Sequence, residues 1–264
     1  KLTIFKLFIK IILAKFNIKN INFGKLKINS PGRYFDDWDI LRVTNNLKDF
    51  NAISNLKKGD ILEIGPGKDI TLAILITIFG GGKIDFIEPN KNFWINQKKL
   101  FKIIFDNYGI KCKTQFKFYK NIIDVKEKKY KFIYSWTCFQ HINFMHLKET
   151  LKIMKNILLK NGIILLHIRW TDHFSKNKDE FNQYIFGRHF DNYRFFLNSG
   201  FYTNRVPKKE FELMLQNFNL KIVSQKNIFI EHNSFKYSTV SDFEFKKEAI
   251  TPYIRSTTYK ITHN

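Results

Sequence analysis

Asp60-Ile61-Leu62-Glu63-Ile64-Gly65-Pro66-Gly67-Lys68-Asp69 is a short apolar run that ends in two glycines. Ile61, Leu62 and Ile64 suit a strand covered on both faces, as in a parallel sheet. Gly65 and Gly67 let the chain turn tightly and bring backbone N–H groups against a ligand with no Cβ in the way. Asp69 is placed to cap a helix that begins near Ile70. A second strand, Lys83-Ile84-Asp85-Phe86-Ile87-Glu88, ends in an acid. Glu88 follows Gly65 at close to the roughly 20-residue offset at which a carboxylate reaches a ribose hydroxyl pair.

A glycine turn followed by such an acid serves either a dinucleotide or an adenosine ligand. Glu63, two positions before Gly65, separates the two. A pyrophosphate would be repelled by an anion at the strand end, whereas a ligand with a sulfonium and an ammonium group would be attracted. At this point the chain resembles the class I S-adenosylmethionine-dependent methyltransferases, whose first motif is an acid, any residue, then three alternating glycines. Here the motif reads Glu63-Ile64-Gly65-Pro66-Gly67-Lys68-Asp69, with Asp69 in place of the third glycine. Lys129 to Ser135 resembles the family's fourth strand, and Trp136-Thr137-Cys138-Phe139-Gln140-His141-Ile142 the loop and helix start after it. Leu158 to His167 resembles the turn and fifth strand. Arg205 to Phe211 resembles the lead into the last core helix, and Lys221-Ile222-Val223 opens the sixth strand. The resemblance runs from about Ile53 to Ile230.

The resemblance implies a Rossmann-like α/β fold: a seven-stranded, mostly parallel sheet flanked by helices, with a helical extension before it and an insertion after strand five. It implies S-adenosylmethionine as cofactor and S-adenosylhomocysteine as product. Glu63, Gly65, Pro66 and Gly67 would surround the methionine half and Glu88 would hold the ribose. Asn121 or Asp124 would meet the adenine edge, and Ser135 and Trp136 would line the other side. The alternative is an ordinary Rossmann-like domain with no methyl transfer.

Residues 1–50 read as an N-terminal helical extension or lid, in which Ser30-Pro31-Gly32-Arg33-Tyr34 marks a turn and Asp36 to Leu47 a helix. Residues 51–264 read as the core. Helices fit Ile70 to Phe79, Phe93 to Phe105, Phe144 to Leu159 and Lys208 to Phe218, and a strand fits Thr114 to Tyr119, the alternation of a parallel sheet with crossovers. From about residue 170 to 203 aromatics and bases interleave (Phe174, Arg188, Tyr193, Arg194 among them), a segment that reads as the substrate-binding insertion.

The chain carries 45 Lys+Arg against 23 Asp+Glu, a net charge of +22. Such an excess suits an acidic partner such as nucleic acid, a phosphorylated substrate or an anionic membrane surface. The basic residues are scattered, so a bias in genome composition explains the charge equally well. Cys112 and Cys138 form no CxxC pair and imply neither zinc nor a disulfide framework; buried free thiols suit a reducing cytoplasm. The apolar stretch from Lys1 to Phe16 is broken by Lys6, Lys10 and Lys15 and falls short of the ~20 residues that span a bilayer. It reads as a helix packed on the core or on another subunit, or as an interfacial helix on the inner face of a membrane.

Methyl transfer to a hydroxyl needs alignment and a base. His141, just past the fourth strand, is the leading base, with His173 and Asp172 beyond the fifth strand as second choices; His167 reads as part of that strand. The fourth strand ends in Tyr134-Ser135-Trp136-Thr137, with no carboxylate for a metal, so no metal is expected. The same position lacks the Asn/Asp-Pro-Pro-Tyr segment of adenine-N6 enzymes, which argues against a flipped base. The favoured acceptor is a sugar hydroxyl, free, on a nucleotide sugar or on a surface-glycan precursor, phosphorylated or not. The alternatives are an RNA methyltransferase and a non-catalytic binding protein on the same fold.

Overall fold

The computed structural model describes residues 20–23, 26–29, 37–56, 60–67, 71–78, 82–91, 93–95, 114–170, 204, 206–229 and 254–264. The helix expected over Lys1 to Phe16, the Ser30–Tyr34 turn, the Asp69 cap, most of the Phe93–Phe105 helix and the insertion to residue 203 lie outside them.

Two strands open the described chain. Strands β1 (Asn20–Phe23) and β2 (Leu26–Asn29) pair antiparallel, with Asn20 opposite Asn29. The extension is therefore not helical throughout. Its Asn-Ile-Asn-Phe and Leu-Lys-Ile-Asn runs alternate polar and apolar with the period of a strand. Helix α1 (Asp37–Asp49) follows and ends two residues beyond the expected Leu47.

The core alternates as its sequence dictates. Strand β3 (Asp60–Ile64) leads to α2 (Thr71–Ile78), then β4 (Lys83–Ile87), β5 (Gln115–Tyr119) and β6 (Tyr130–Trp136). Helix α3 (Phe144–Ile157), β7 (Leu158–Arg169), α4 (Lys208–Asn217), β8 (Leu220–Phe229) and β9 (Ile254–His263) complete it. Helix α3 runs straight into β7: Leu158, expected inside a helix and turn, already pairs with Tyr130. The slack is taken up by a bulge before Phe132 meets Ile163.

Among the described residues one sheet holds seven strands in the order β5-β4-β3-β6-β7-β9-β8. Neighbours from β5 to β7 run parallel, while β9 is antiparallel to both β7 and β8. A doubly wound dinucleotide fold ends its order at the sixth strand; here a reversed strand is wedged between the fifth and sixth of that series.

Alternation along each strand splits the core in two. Leu62, Ile64, Ile133, Ile164 and Leu166 face Leu151 and Met154 of α3 and Phe211 and Leu215 of α4. Ile61, Ile84, Phe86, Phe132 and Leu165 face Val43 and Leu47 of α1 and Leu72 and Ile76 of α2. Burial on both faces explains why the strands read as near-continuous apolar runs.

Candidate functional site

The chain order reverses at β3, which has β4 on one side and β6 on the other. The crevice outside the carboxyl ends of the strands at such a switch point is where open α/β sheets bind ligands. Three segments meet there: the glycine turn after β3, Glu88 after β4, and the loop from Trp136 to Ile142 after β6.

The two glycines do different work. Both have left-handed backbone, Gly65 at φ 69° and Gly67 at φ 60°. A Cβ on Gly65 would lie 2.2 Å from Cys138 Sγ, so this glycine lets the β6 loop close against the turn. Among the described residues a Cβ on Gly67 would meet nothing within 4 Å, so this glycine presents an open face to them. The missing side chain of Gly65 thus makes room for protein. Pro66 between them is buried.

Glu88 is 6% exposed, and its carboxylate is held by backbone. Gly67 N donates to Oε2 at 3.0 Å and Asn90 N donates to Oε1 at 2.9 Å. Trp94 Nε1 donates to the Glu88 carbonyl at 2.6 Å, and Glu88 N donates to Tyr119 O at 2.9 Å. Burial raises the carboxyl pKa to about 7, against the lowering effect of the Asn90 and Gly67 N–H groups. A carboxylate offers about four acceptor positions, and backbone donors take two. The remaining two suit a pair of ribose hydroxyls, and the open face of Gly67 lies one hydrogen bond away.

Glu63 is buried on β3 at 5% exposure, with Phe86 and Tyr134 as its register neighbours. Ser135 is fully buried, and its hydroxyl donates to Ile64 O at 2.8 Å, tying β6 to β3 at the reversal point. Burial and then the charges of Glu88 and Glu63 push the Cys138 thiol up to about 12, so it stays protonated and neutral. Past β5, Asn121 and Asp124 are exposed, and Asp124 Oδ2 accepts from Asn121 N at 3.0 Å, which caps a short turn.

Trp136 is the middle of a three-layer stack. His167 lies parallel to it at 3.7 Å and 11°, and the Arg42 guanidinium of α1 sits 4.4 Å from the ring centroid. His167 is buried on β7 and its Nδ1 shares a 2.8 Å hydrogen bond with Thr258 Oγ1 of β9. Burial, then Arg42 and Arg169, lower its pKa to about 3, so the ring is neutral at physiological pH. The stack fastens α1 to the carboxyl end of β6.

His141 ends a single 3₁₀ turn, Phe139–His141, on the loop after β6, and it is partly exposed. That turn is stapled by Asn204, the first described residue after the insertion. Asn204 Nδ2 donates to Phe139 O at 2.8 Å and to Ile142 O at 2.9 Å, and its backbone N donates to Gln140 O at 2.8 Å. Its Oδ1 accepts from Val206 N at 3.2 Å. Asp172 and His173 lie outside the described residues.

Glu63, Gly65, Gly67, Glu88, Ser135, Trp136 and His141 therefore gather at one edge of the sheet, with Asn121 and Asp124 at its β5 side. Sequence reading missed Arg42, Gln140 and Asn204. No local pattern signals the Asn204 staple, because it spans the whole insertion, and none singles out Arg42 on its helix. Among the described residues no group of three or more His, Cys, Asp or Glu side chains is placed to hold a metal ion. No described helix is long and apolar enough to cross a membrane.

Residues 38–225 match the family described as "Methyltransferase domain". No curated protein sequence matches the chain. Among solved structures, an S-adenosylmethionine-dependent methyltransferase from Clostridium acetobutylicum is similar at TM-score 0.51 and 12% identity, over 86% of this chain and 93% of that one. Magnesium protoporphyrin IX methyltransferase from Synechocystis, with S-adenosylhomocysteine bound, is similar at TM-score 0.53 and 9% identity, over 89% and 90%. The PH0226 protein from Pyrococcus horikoshii is similar at TM-score 0.54 and 9% identity, over 88% and 95%. At these identities the likeness is one of fold.

Proposed function

Since this chain belongs to the methyltransferase-domain family, we propose that it is an S-adenosylmethionine-dependent enzyme that methylates a hydroxyl of a sugar, free, on a nucleotide sugar or on a surface-glycan precursor. When bound, the cofactor supplies a methyl group activated on a sulfonium. The residues at the switch point fit such a group: Gly67 leaves an open face, Glu88 has acceptor positions to spare, and Glu63 gives the buried negative charge that suits a cationic methionine half.

The acceptor reading rests on the loop after β6. From Trp136 to Ile142 it holds two aromatic rings, a hydroxyl, a thiol, an amide and an imidazole, and no carboxylate. It offers neutral hydrogen bonding rather than a metal site or a charged clamp, which suits a sugar ring. A hydroxyl has a pKa far above 7, so its proton must leave as the oxygen–methyl bond forms. His141 is the base in this reading: an imidazole is the side chain suited to taking a proton near neutral pH, and this one sits partly exposed on the loop after β6.

Methyl transfer to a panel of glycosides tests the reading. His141→Ala lowers turnover ~10²–10⁴-fold, the usual contribution of a positioned base, with S-adenosylhomocysteine affinity unchanged. Turnover on a neutral sugar varies little between low and physiological salt. Parent-like turnover in His141→Ala removes this residue as base. Methylation of RNA with a steep loss of activity as salt rises, the mark of counterion release, overturns the sugar reading.

A further inference from the structure

The described loop after β6 contains one polar side chain that the fold leaves unsatisfied. Gln140 is 5% exposed, and both its Nε2 and its Oε1 are buried with no hydrogen-bond partner. A buried amide in that state carries the full desolvation cost of a donor and an acceptor, so folding alone gives no reason to place it there. Nor is the amide a by-product of a loose loop. The carbonyls of Phe139, Gln140 and Ile142 all accept hydrogen bonds from Asn204, and that of Cys138 accepts from His141 N at 2.8 Å. Cys138, two residues earlier, packs against Gly65 of the glycine turn. The backbone on both sides of Gln140 is thus fixed at the switch-point edge, one residue before the base candidate in the same 3₁₀ turn.

We propose that Gln140 is an acceptor-binding residue, whose amide is completed only when a hydroxyl-bearing substrate lies beside His141. This deepens the sugar-hydroxyl reading above and rests on it. A primary amide offers donors and an acceptor on one uncharged plane. Adjacent sugar hydroxyls offer the same in return, so one residue pairs with two neighbouring hydroxyls without adding charge. A phosphate would engage only the donor side and leave Oε1 unpaired. Gln140 therefore selects for a neutral polyol face on the acceptor and sets which hydroxyl is turned toward His141. Asn204 acts on it as a positioning residue, by fixing the carbonyls of the turn.

A group kept for substrate and not for folding has a diagnostic signature: removing it stabilises the protein while weakening the substrate. Calorimetric melting of the full chain with Gln140→Leu and Gln140→Met is expected to give midpoints raised by about 2–4 °C or more, since an apolar side chain of similar volume has no unmet hydrogen bonds. With S-adenosylhomocysteine at saturation, the methyl glycosides of glucose, galactose, mannose and rhamnose at millimolar concentration serve as probes. At least one should raise the melting midpoint of the parent, and that increment should disappear in both variants. A midpoint lowered in both variants would make the amide a structural member, and an unchanged midpoint would make it a solvated one; either overturns the proposal. A parent that none of the four glycosides stabilises overturns it as well. Titration of S-adenosylhomocysteine into the same samples separates the two levels. If the parent binds it and both variants bind it equally, a negative sugar result counts against Gln140; if the parent does not bind it, the methyltransferase reading itself has failed.

Discussion

Glu88 carries a carboxylate that is nearly buried, held by two backbone N–H groups, and shifted to about 7 from the ordinary 4.5. A folded-state pKa above the unfolded one means the native protein binds the proton more tightly. The stability this group contributes is therefore fully present below about 4.5 and is lost as pH rises through about 7. The swing is on the order of 3 kcal/mol. Glu88→Gln should flatten this part of the stability curve and leave the protein more stable than the parent at pH 8, as read by urea melts at pH 5 and pH 8. Ribose hydroxyls donate to the charged carboxylate, so cofactor affinity in the parent should rise with pH up to about 7 and fall at least tenfold at every pH in Glu88→Gln. A parent whose stability and affinity ignore pH between 5 and 8 contradicts this. The glycines give a paired prediction. Gly65→Ala combines a left-handed alanine, about 1–2 kcal/mol, with overpacking against Cys138, about 1–3 kcal/mol. It should therefore act chiefly on stability. Gly67→Ala meets no neighbour, so its stability cost stays near the first figure, and its effect should fall on cofactor affinity. Equal effects of the two substitutions on both readouts would refute the division. Spacing alone marked both glycines and Glu88; it did not divide their work, because Cys138 reaches Gly65 only through the pairing of β3 with β6.

The elements most legible in the sequence are those with a single strong signal. The apolar run of β3 read as a doubly covered strand, β4 as a strand ending in an acid and β6 as the family's fourth strand, and the helices read at α3 and α4 have boundaries within two residues of those observed. Strand β9 was not assigned. Its Ser256-Thr257-Thr258-Tyr259-Lys260-Ile261-Thr262-His263 run reads as polar, yet Ser256 to Tyr259 are buried. Each polar side chain there needs a partner from another element to be buried cheaply, and such partners are invisible locally. Thr258 meets His167, and Thr257 Oγ1 accepts from Trp170 Nε1 at 2.9 Å and donates to Asn227 Oδ1 at 2.9 Å. Threonine also favours strands through its branched Cβ. Because β9 is the only neighbour of β8 in the described sheet and the seat of the His167 hydrogen bond, its loss should be severe. Deleting residues 254–264 should abolish the cooperative melting transition and cofactor binding together. A truncated chain that melts cooperatively and binds S-adenosylhomocysteine would show that β9 does not organise the site.

For the whole molecule the net charge of +22 sets a general condition. The described ion pairs are few and mostly at the surface, among them Lys226 with Asp49 at 2.6 Å and Lys208 with Glu212 at 2.5 Å. Pairs of this kind contribute little each. The excess of lysine repels itself and draws in anions of any kind, which bears on solubility and encounter rates more than on the fold. The acceptor was the least legible feature of the sequence for a related reason: charge is a property of the whole surface, whereas in the proposed reading acceptor choice falls to the few groups beside His141. The proposed cofactor site depends on the charge least, since its residues supply backbone donors, two buried acids and an open glycine face. Isothermal titration of S-adenosylmethionine into the full chain at pH 7.5 and physiological salt tests the central claim most directly. The account predicts one site per chain with micromolar affinity, about −8 kcal/mol. The absence of saturable binding by the folded protein would contradict it.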